Sequence, residues 1–180
     1  MLPAVVWFPA LREADASVWL RAAPRLTIPD TAQARLVQDA LRGTRCAVDL
    51  TEDFTSVAWR KLLQNAVAGL MVLAGRRAGM FSREDITAVA LAYLRECLSV
   101  ARAEGAKLSD SVPQEIVEVF HRGARRSEHL HSYRPRGRGC RWSGIFATGV
   151  VQRRARRHAI PTPLSDLIVP LLAAASDGPG

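Results

Sequence analysis

Residues 54–74 read FTSVAWRKLLQNAVAGLMVLA, and this run decides the fold. Asp53, just ahead of it, offers a carboxylate to the first free N–H groups of a helix. Val57, Ala58, Leu62, Leu63, Ala66, Val67, Leu70 and Val72 leave that helix little polar surface. Lys61 and Asn65 break the apolar pattern, and at four residues apart they share one face. An ammonium held in such surroundings can polarise or protonate a carbonyl oxygen, while a carboxamide one turn away holds the substrate still. The same spacing also fits a lysine whose stem lies along buried surface with its amine in water, beside an amide that caps a neighbouring element.

Downstream the pattern stays helical. Gly75 to Phe81 reads as a turn, and Ser82-Arg83-Glu84-Asp85 as a capping sequence for a helix from about Glu84 to Glu104. Ile86, Val89, Ala90, Tyr93, Leu94, Cys97, Leu98 and Ala101 recur there at helical spacing, and Gly105 ends the run. Ser111-Val112-Pro113 opens another helix, with Ile116, Val117, Val119 and Phe120 inward. After Gly123 the periodicity is lost until Gly149; a helix from Val150 to His158 and a last one from Leu164 to Ala175 follow, with a frayed tail from Ser176. Upstream, Ala4 to Phe8, Ser17 to Ala23, Arg25 to Ile28 and Cys46 to Leu50 read as short strands, and Asp30 or Thr31 caps a helix through Leu41. These first 52 residues carry no glycine-rich phosphate loop after a strand, so they are too little for a dinucleotide-binding unit.

The 180 residues are 48% hydrophobic and 6% aromatic, a composition of Ala, Leu and Val that suits packed helices. No apolar run reaches the roughly 18 residues that a bilayer crossing needs. The apolar start, Met1 to Phe8, lacks the basic leading region of a signal peptide. Cys46, Cys97 and Cys140 are odd in number and widely spaced, which argues against a disulfide framework and a zinc site, so a reduced, cytoplasmic protein is expected. The net charge of +8 is uneven: from Arg122 to Arg157 stand 11 arginines against one acid, Glu128, a net of +10. The remaining residues, 14 basic against 16 acidic, carry −2.

In order and spacing, Trp59-x-Lys61-x-x-x-Asn65, Glu96 with Val100-Ala101 and Gly105, Gly149-Val150-Val151, and Arg157-His158-Ala159-Ile160-Pro161-Thr162-Pro163 resemble the C-terminal half of the ketopantoate reductase (2-dehydropantoate 2-reductase) family. That family closes on His-Gly-Ile-Pro-Thr-Pro, and the likeness runs from about Leu26 to Ala175. The resemblance implies a mainly α fold: an all-helical domain of the 6-phosphogluconate dehydrogenase C-terminal-like type over 53–176, after a remnant of a Rossmann domain over 1–52. It also implies NADPH-dependent reduction of 2-dehydropantoate, or a related 2-oxo acid, in pantothenate biosynthesis. Lys61 would then be the catalytic general acid and Asn65 a substrate-binding residue, with no cofactor-binding or metal residue assigned.

Three departures from the family pattern stand out. The glycine-rich loop is missing, as though the chain starts near the end of the nucleotide-binding domain, so the 180 residues alone are expected to be inactive. The next amide of the helix face would fall at Gly69, which has no side chain. The family's Ser-Met-x-x-Asp and Thr-Glu-Ile-Asp-x-x-Asn-Gly stretches find Ser143, Ile145 and Thr148 at the glutamate, aspartate and asparagine positions, and His131 or Ser132 near the serine position. Residues 125–148 are rich in Arg, Gly, Ser, Cys and His without an apolar period. Codons compatible with Trp142 to Gly149, read one base earlier, can encode Leu-Glu-Trp-Asp-Ile-Arg-Asn-Gly. This restores all three residues, so the segment is read as irregular and translated out of frame.

Other readings are weaker. The arginine-rich stretch would attract phosphate backbone, yet it has no recognition helix, and Tyr133, Trp142 and Phe146 form no platform. His129-x-His131 is half a metal site without a second pair of ligands. Arg153, Arg154, Arg156 and Arg157 read as a solvated helix face, with a contact to cofactor phosphate as the sharper option. Against the oxidoreductase reading stands a non-catalytic helical module for homodimerisation or interaction, with a basic loop for nucleic acid.

Overall fold

The computed structural model describes residues 1–180 except 9, 14, 21, 128–142 and 178–180. The chain divides into two compact units, Met1–Ala58 and Trp59–Gly180.

In the first unit, β1 (Val5–Val6), β4 (Arg25–Pro29) and β5 (Ala47–Thr51) form one sheet, with β4 in the middle. β1 pairs antiparallel to β4, while β4 and β5 run parallel with Arg25 opposite Ala47. The parallel pair needs a crossover, and helix α1 (Ala32–Ala40) supplies it. Thr31 caps α1, its Oγ1 accepting from the Ala34 N–H at 3.1 Å. Thr27 and Ile28 of β4 and Ala34 of α1 are buried, and Thr27 and Ile28, as neighbours on one strand, face opposite sides of the sheet. A separate antiparallel ribbon pairs β2 (Ala10–Arg12) with β3 (Val18–Leu20). β2 is absent from the sequence reading, because three residues are too few to show an alternating pattern.

Helix α2 (Phe54–Ala74) has the predicted bounds. Asp53 caps it: Oδ1 accepts from the Ser56 N–H at 3.0 Å and Oδ2 from the Ser56 hydroxyl at 2.7 Å. It ends at Gly75, whose φ of +60° suits a residue without a Cβ; Arg76 N–H returns to Met71 O at 3.0 Å.

The second unit continues with a 3-10 turn at Ala78–Ser82, then α3 (Glu84–Ala103) and α4 (Val112–Ser127), followed by α5 (Ser143–Arg157) and α6 (Pro163–Asp177). The predicted capping sequence fails at its first residue: Arg83, not Ser82, holds the cap position of α3, and no side chain caps it. Asp85 instead turns its carboxylate to Arg83 and to the Ile86 N–H. α3 closes as expected at Gly105, φ +90°, with Ala106 N–H bonded to Ala101 O at 3.0 Å.

Two boundaries differ from the sequence reading. α4 runs through Gly123 to Ser127, and α5 begins at Ser143 rather than after Gly149. Both glycines lie inside helices; at Gly149, burial of the neighbours Thr148 and Val151 outweighs the modest intrinsic cost of glycine. One core joins α2, α3, α4, α5 and α6 through Trp59, Leu63, Val67, Phe81, Tyr93, Leu94, Ile116, Val151 and Leu172. Among the described residues, no helix is long and apolar enough to cross a membrane.

Candidate functional site

Lys61 and Asn65 both lie on α2 and both are half-buried. The opposite face of the same turns, Leu63, Ala66 and Val67, is fully buried and fixes the roll of the helix. Beside the pair, Arg60 Nη2 meets Glu115 Oε2 at 2.7 Å and ties α2 to α4. Burial pushes the Lys61 ammonium below its ordinary value of 10.5. A cation so placed releases its proton more readily than an exposed lysine, which suits a general acid. The Asn65 carboxamide has no hydrogen-bond partner among the described residues.

Gly69, the third position along this stripe, is buried against α6: a Cβ there would stand 3.0 Å from Leu172 Cδ1. The site face thus passes from two half-buried polar groups into sealed core at Gly69.

Glu96 has a definite place. Its carboxylate on α3 accepts from the Leu164 N–H and the Ser165 N–H, both at 2.8 Å, and from the Ser165 hydroxyl at 2.6 Å. The stretch from His158 to Pro163 forms the corner between α5 and α6. His158 Nε2 meets Glu104 Oε1 at 2.7 Å, and Arg154 Nη1 meets Glu104 Oε2 at 3.2 Å. Sequence reasoning singled out Glu96 and His158 by pattern but gave them no partner; contacts 68 and 54 residues apart leave no local signal.

The remaining candidates divide. Thr148 is fully buried, and the Tyr93 hydroxyl lies among Thr148, Ser165 and Cys97. None of the three meets hydrogen-bond geometry with it, and burial pushes its pKa far up. Ser143 and Ile145 belong to the first turn of α5. His129, His131, Ser132, Tyr133, Cys140 and Trp142 lie outside the described residues, as does most of segment 125–148. Among the described residues, no group of three metal-ligating side chains gathers.

Among the described residues of the first unit, the junction of β4 and α1 does not fit the phosphates of a nicotinamide cofactor. Where β4 hands over to α1, Thr31 already takes the Ala34 N–H, and the Asp30 carboxylate, bonded to Arg35 at 2.9 Å, would face an incoming phosphate.

Comparison with known proteins bears on the whole chain. The family described as "Ketopantoate reductase PanE/ApbA C terminal" matches residues 53–176. A 2-dehydropantoate 2-reductase of Mycobacterium tuberculosis is 45% identical over 181 residues, covering 100% of this chain and 61% of the relative. One of Caulobacter vibrioides is 32% identical, covering 98% of this chain and 60% of its own length. The chain therefore spans about three fifths of these relatives. Among solved structures, a dimeric ketopantoate reductase from Staphylococcus aureus superposes with a TM-score of 0.79 at 22% identity, over 98% of this chain and 62% of that one. D-mandelate dehydrogenase with NADH superposes at 0.81 and 18% identity, over 97% and 62%. These two likenesses speak for the fold alone. With the family match covering the helical unit and close relatives along its full extent, the chain belongs to the ketopantoate reductase family and carries its C-terminal helical domain.

Proposed function

We propose that this chain supplies the proton-donating and substrate-holding half of an NADPH-dependent 2-oxo acid reductase, acting on 2-dehydropantoate or a close relative. Residues 1–52 are the end of a nucleotide-binding domain and 53–176 the helical domain that works with it. The observation that carries the reading is the half-buried Lys61, its proton loosened by burial, one turn from the Asn65 carboxamide. Full-length identity of 45% to a 2-dehydropantoate 2-reductase supports the substrate class.

A reduced nicotinamide, when bound, would supply hydride to the keto carbon, and no seat for it is found among the described residues. As negative charge grows on the keto oxygen, the Lys61 N–H bond breaks and an O–H bond forms, leaving a neutral amine. Asn65 donates from its NH2 to a substrate oxygen and fixes the carbonyl against Lys61.

The test is a chimera that joins the upstream part of the mycobacterial relative to this chain. It should oxidise NADPH when 2-dehydropantoate is added, and Lys61→Ala should lower kcat by about 10²–10⁴-fold. An active chimera indifferent to Lys61→Ala would overturn the assignment. The 180-residue chain alone should be silent; turnover without the added lobe would refute that part. We also read segment 125–148 as out of frame, which the coding DNA decides: codons that cannot yield the shifted octet end the idea.

A second reading, a helical dimerisation or interaction module, draws on Leu167 and Leu171, which are 60% and 50% exposed one turn apart on α6. Sedimentation that finds only monomer at high concentration counts against homodimerisation.

A further inference from the structure

α6 opens in an unusual way. Pro163, its first residue, has no N–H, so Leu164 and Ser165 carry the first donors of the helix. Such donors are ordinarily met by the side chain just ahead of the helix. Here that residue is Thr162, whose carbonyl accepts from the Asp166 N–H at 2.9 Å, yet both leading donors go to Glu96, at 2.8 Å each. The third bond, from the Ser165 hydroxyl at 2.6 Å, involves a fully buried side chain, so water does not compete for it. A carboxylate at this end also meets the positive pole of the helix. Glu96 thus holds α6 at one point by three charge-assisted bonds.

Further along α6, Leu172 is 1% exposed and packs where a side chain at Gly69 would begin. Gly69 stands four residues beyond Asn65 and eight beyond Lys61, on adjoining turns of α2. A slide or roll of α6 therefore moves Leu172 on the helix that carries both candidate site residues, and a packed contact passes such a movement on.

We propose that Glu96, through the cap it gives α6 and the seat of Leu172 on Gly69, is a positioning residue for Lys61 and Asn65. The proposal rests on the reading that those two residues hold a 2-oxo acid, and its test separates the two ideas.

The experiment is amide NMR of the whole 180-residue chain with 2-dehydropantoate as probe, comparing wild type, Glu96→Gln and Glu96→Ala. In Glu96→Ala, hydrogen exchange at Leu164 and Ser165 should quicken about tenfold, the loss of a cap. The Gly69 and Asn65 amide resonances should move, and the probe should bind about tenfold more weakly, while helix content by circular dichroism stays unchanged. Glu96→Gln keeps one acceptor oxygen and should fall between. If Glu96→Ala does not fold, Ser165→Ala, which removes one of the three bonds, should give the same pattern at smaller size. Faster exchange at Leu164 and Ser165 with unmoved Gly69 and Asn65 and unchanged binding would overturn the proposal and leave Glu96 a local cap. A wild-type chain that does not bind the probe counts against the substrate reading alone. The Gly69 and Asn65 resonances then decide the positioning by themselves.

Discussion

Ile160 donates its N–H back to the Ala155 carbonyl at 3.0 Å, and this bond closes α5 by bending the chain at Ala159 to a φ of +51°. The turn belongs to the type in which glycine ordinarily occupies the bend. An alanine there carries left-handed strain of about 1–2 kcal/mol, partly offset by the smaller entropy of its unfolded chain. Ala159→Gly should therefore stabilise the protein by about 0.5–1 kcal/mol. Urea titration checks it: the midpoint rises with an unchanged slope. A lower midpoint would show that Ala159 makes packing contacts worth more than its strain.

The stripe that carries Lys61 and Asn65 runs into Leu172 at Gly69, and this sets a steric limit. Gly69→Asn should destabilise by about 1–3 kcal/mol, because a Cβ already stands 3.0 Å from Leu172 Cδ1. Leu172→Ala should recover part of that loss in the double variant, read as a coupling energy in a double-mutant cycle. Additive costs would mean that the two positions do not touch.

Lys61 should be a stability liability at neutral pH. Its pKa in the folded chain is lowered by burial, so between that value and 10.5 the unfolded chain binds more protons than the folded one. Stability from this group accordingly rises as pH climbs through that window. Lys61→Met should raise the urea midpoint at pH 7, and the gain over wild type should shrink towards pH 10.5. A gain that stays constant with pH would locate the lysine in full solvent.

Tyr93→Phe should be nearly neutral, within about 0.5 kcal/mol, since the buried hydroxyl it removes meets no partner in hydrogen-bond geometry among the described residues. A loss of 1 kcal/mol or more would reveal a bond that Tyr93 Oη makes in solution.

Much of the helical unit was legible because its signals are local. Asp53 ahead of an apolar run, and Gly75 and Gly105 after one, are chain-end chemistry within a single turn, and the structure places α2 and α3 accordingly. That Lys61 and Asn65 share one face followed from helical spacing alone; that the face is half-buried did not. Long-range partners were not legible. Nothing near Glu96 announces that its carboxylate will cap a helix 68 residues on, and nothing near Gly69 announces Leu172. Gly149 misled in the other direction, since a glycine that usually punctuates lies inside α5, one residue from the fully buried Thr148. The ribbon of β2 and β3 was half missed because strand pairing is a property of two segments and only one of them alternates.

The loan of a cap from α3 to α6 makes two distant stretches of the gene interdependent. A recombination that exchanged residues 158–177 for those of a relative, leaving position 96 as it is, would separate a helix from the acid that starts it. Such a hybrid keeps its start only if both parents agree at 96, at Pro163 and at the two donors that follow. The pair is in effect inherited together, and shuffled libraries of this family should show the tail surviving transfer only in company with its acid.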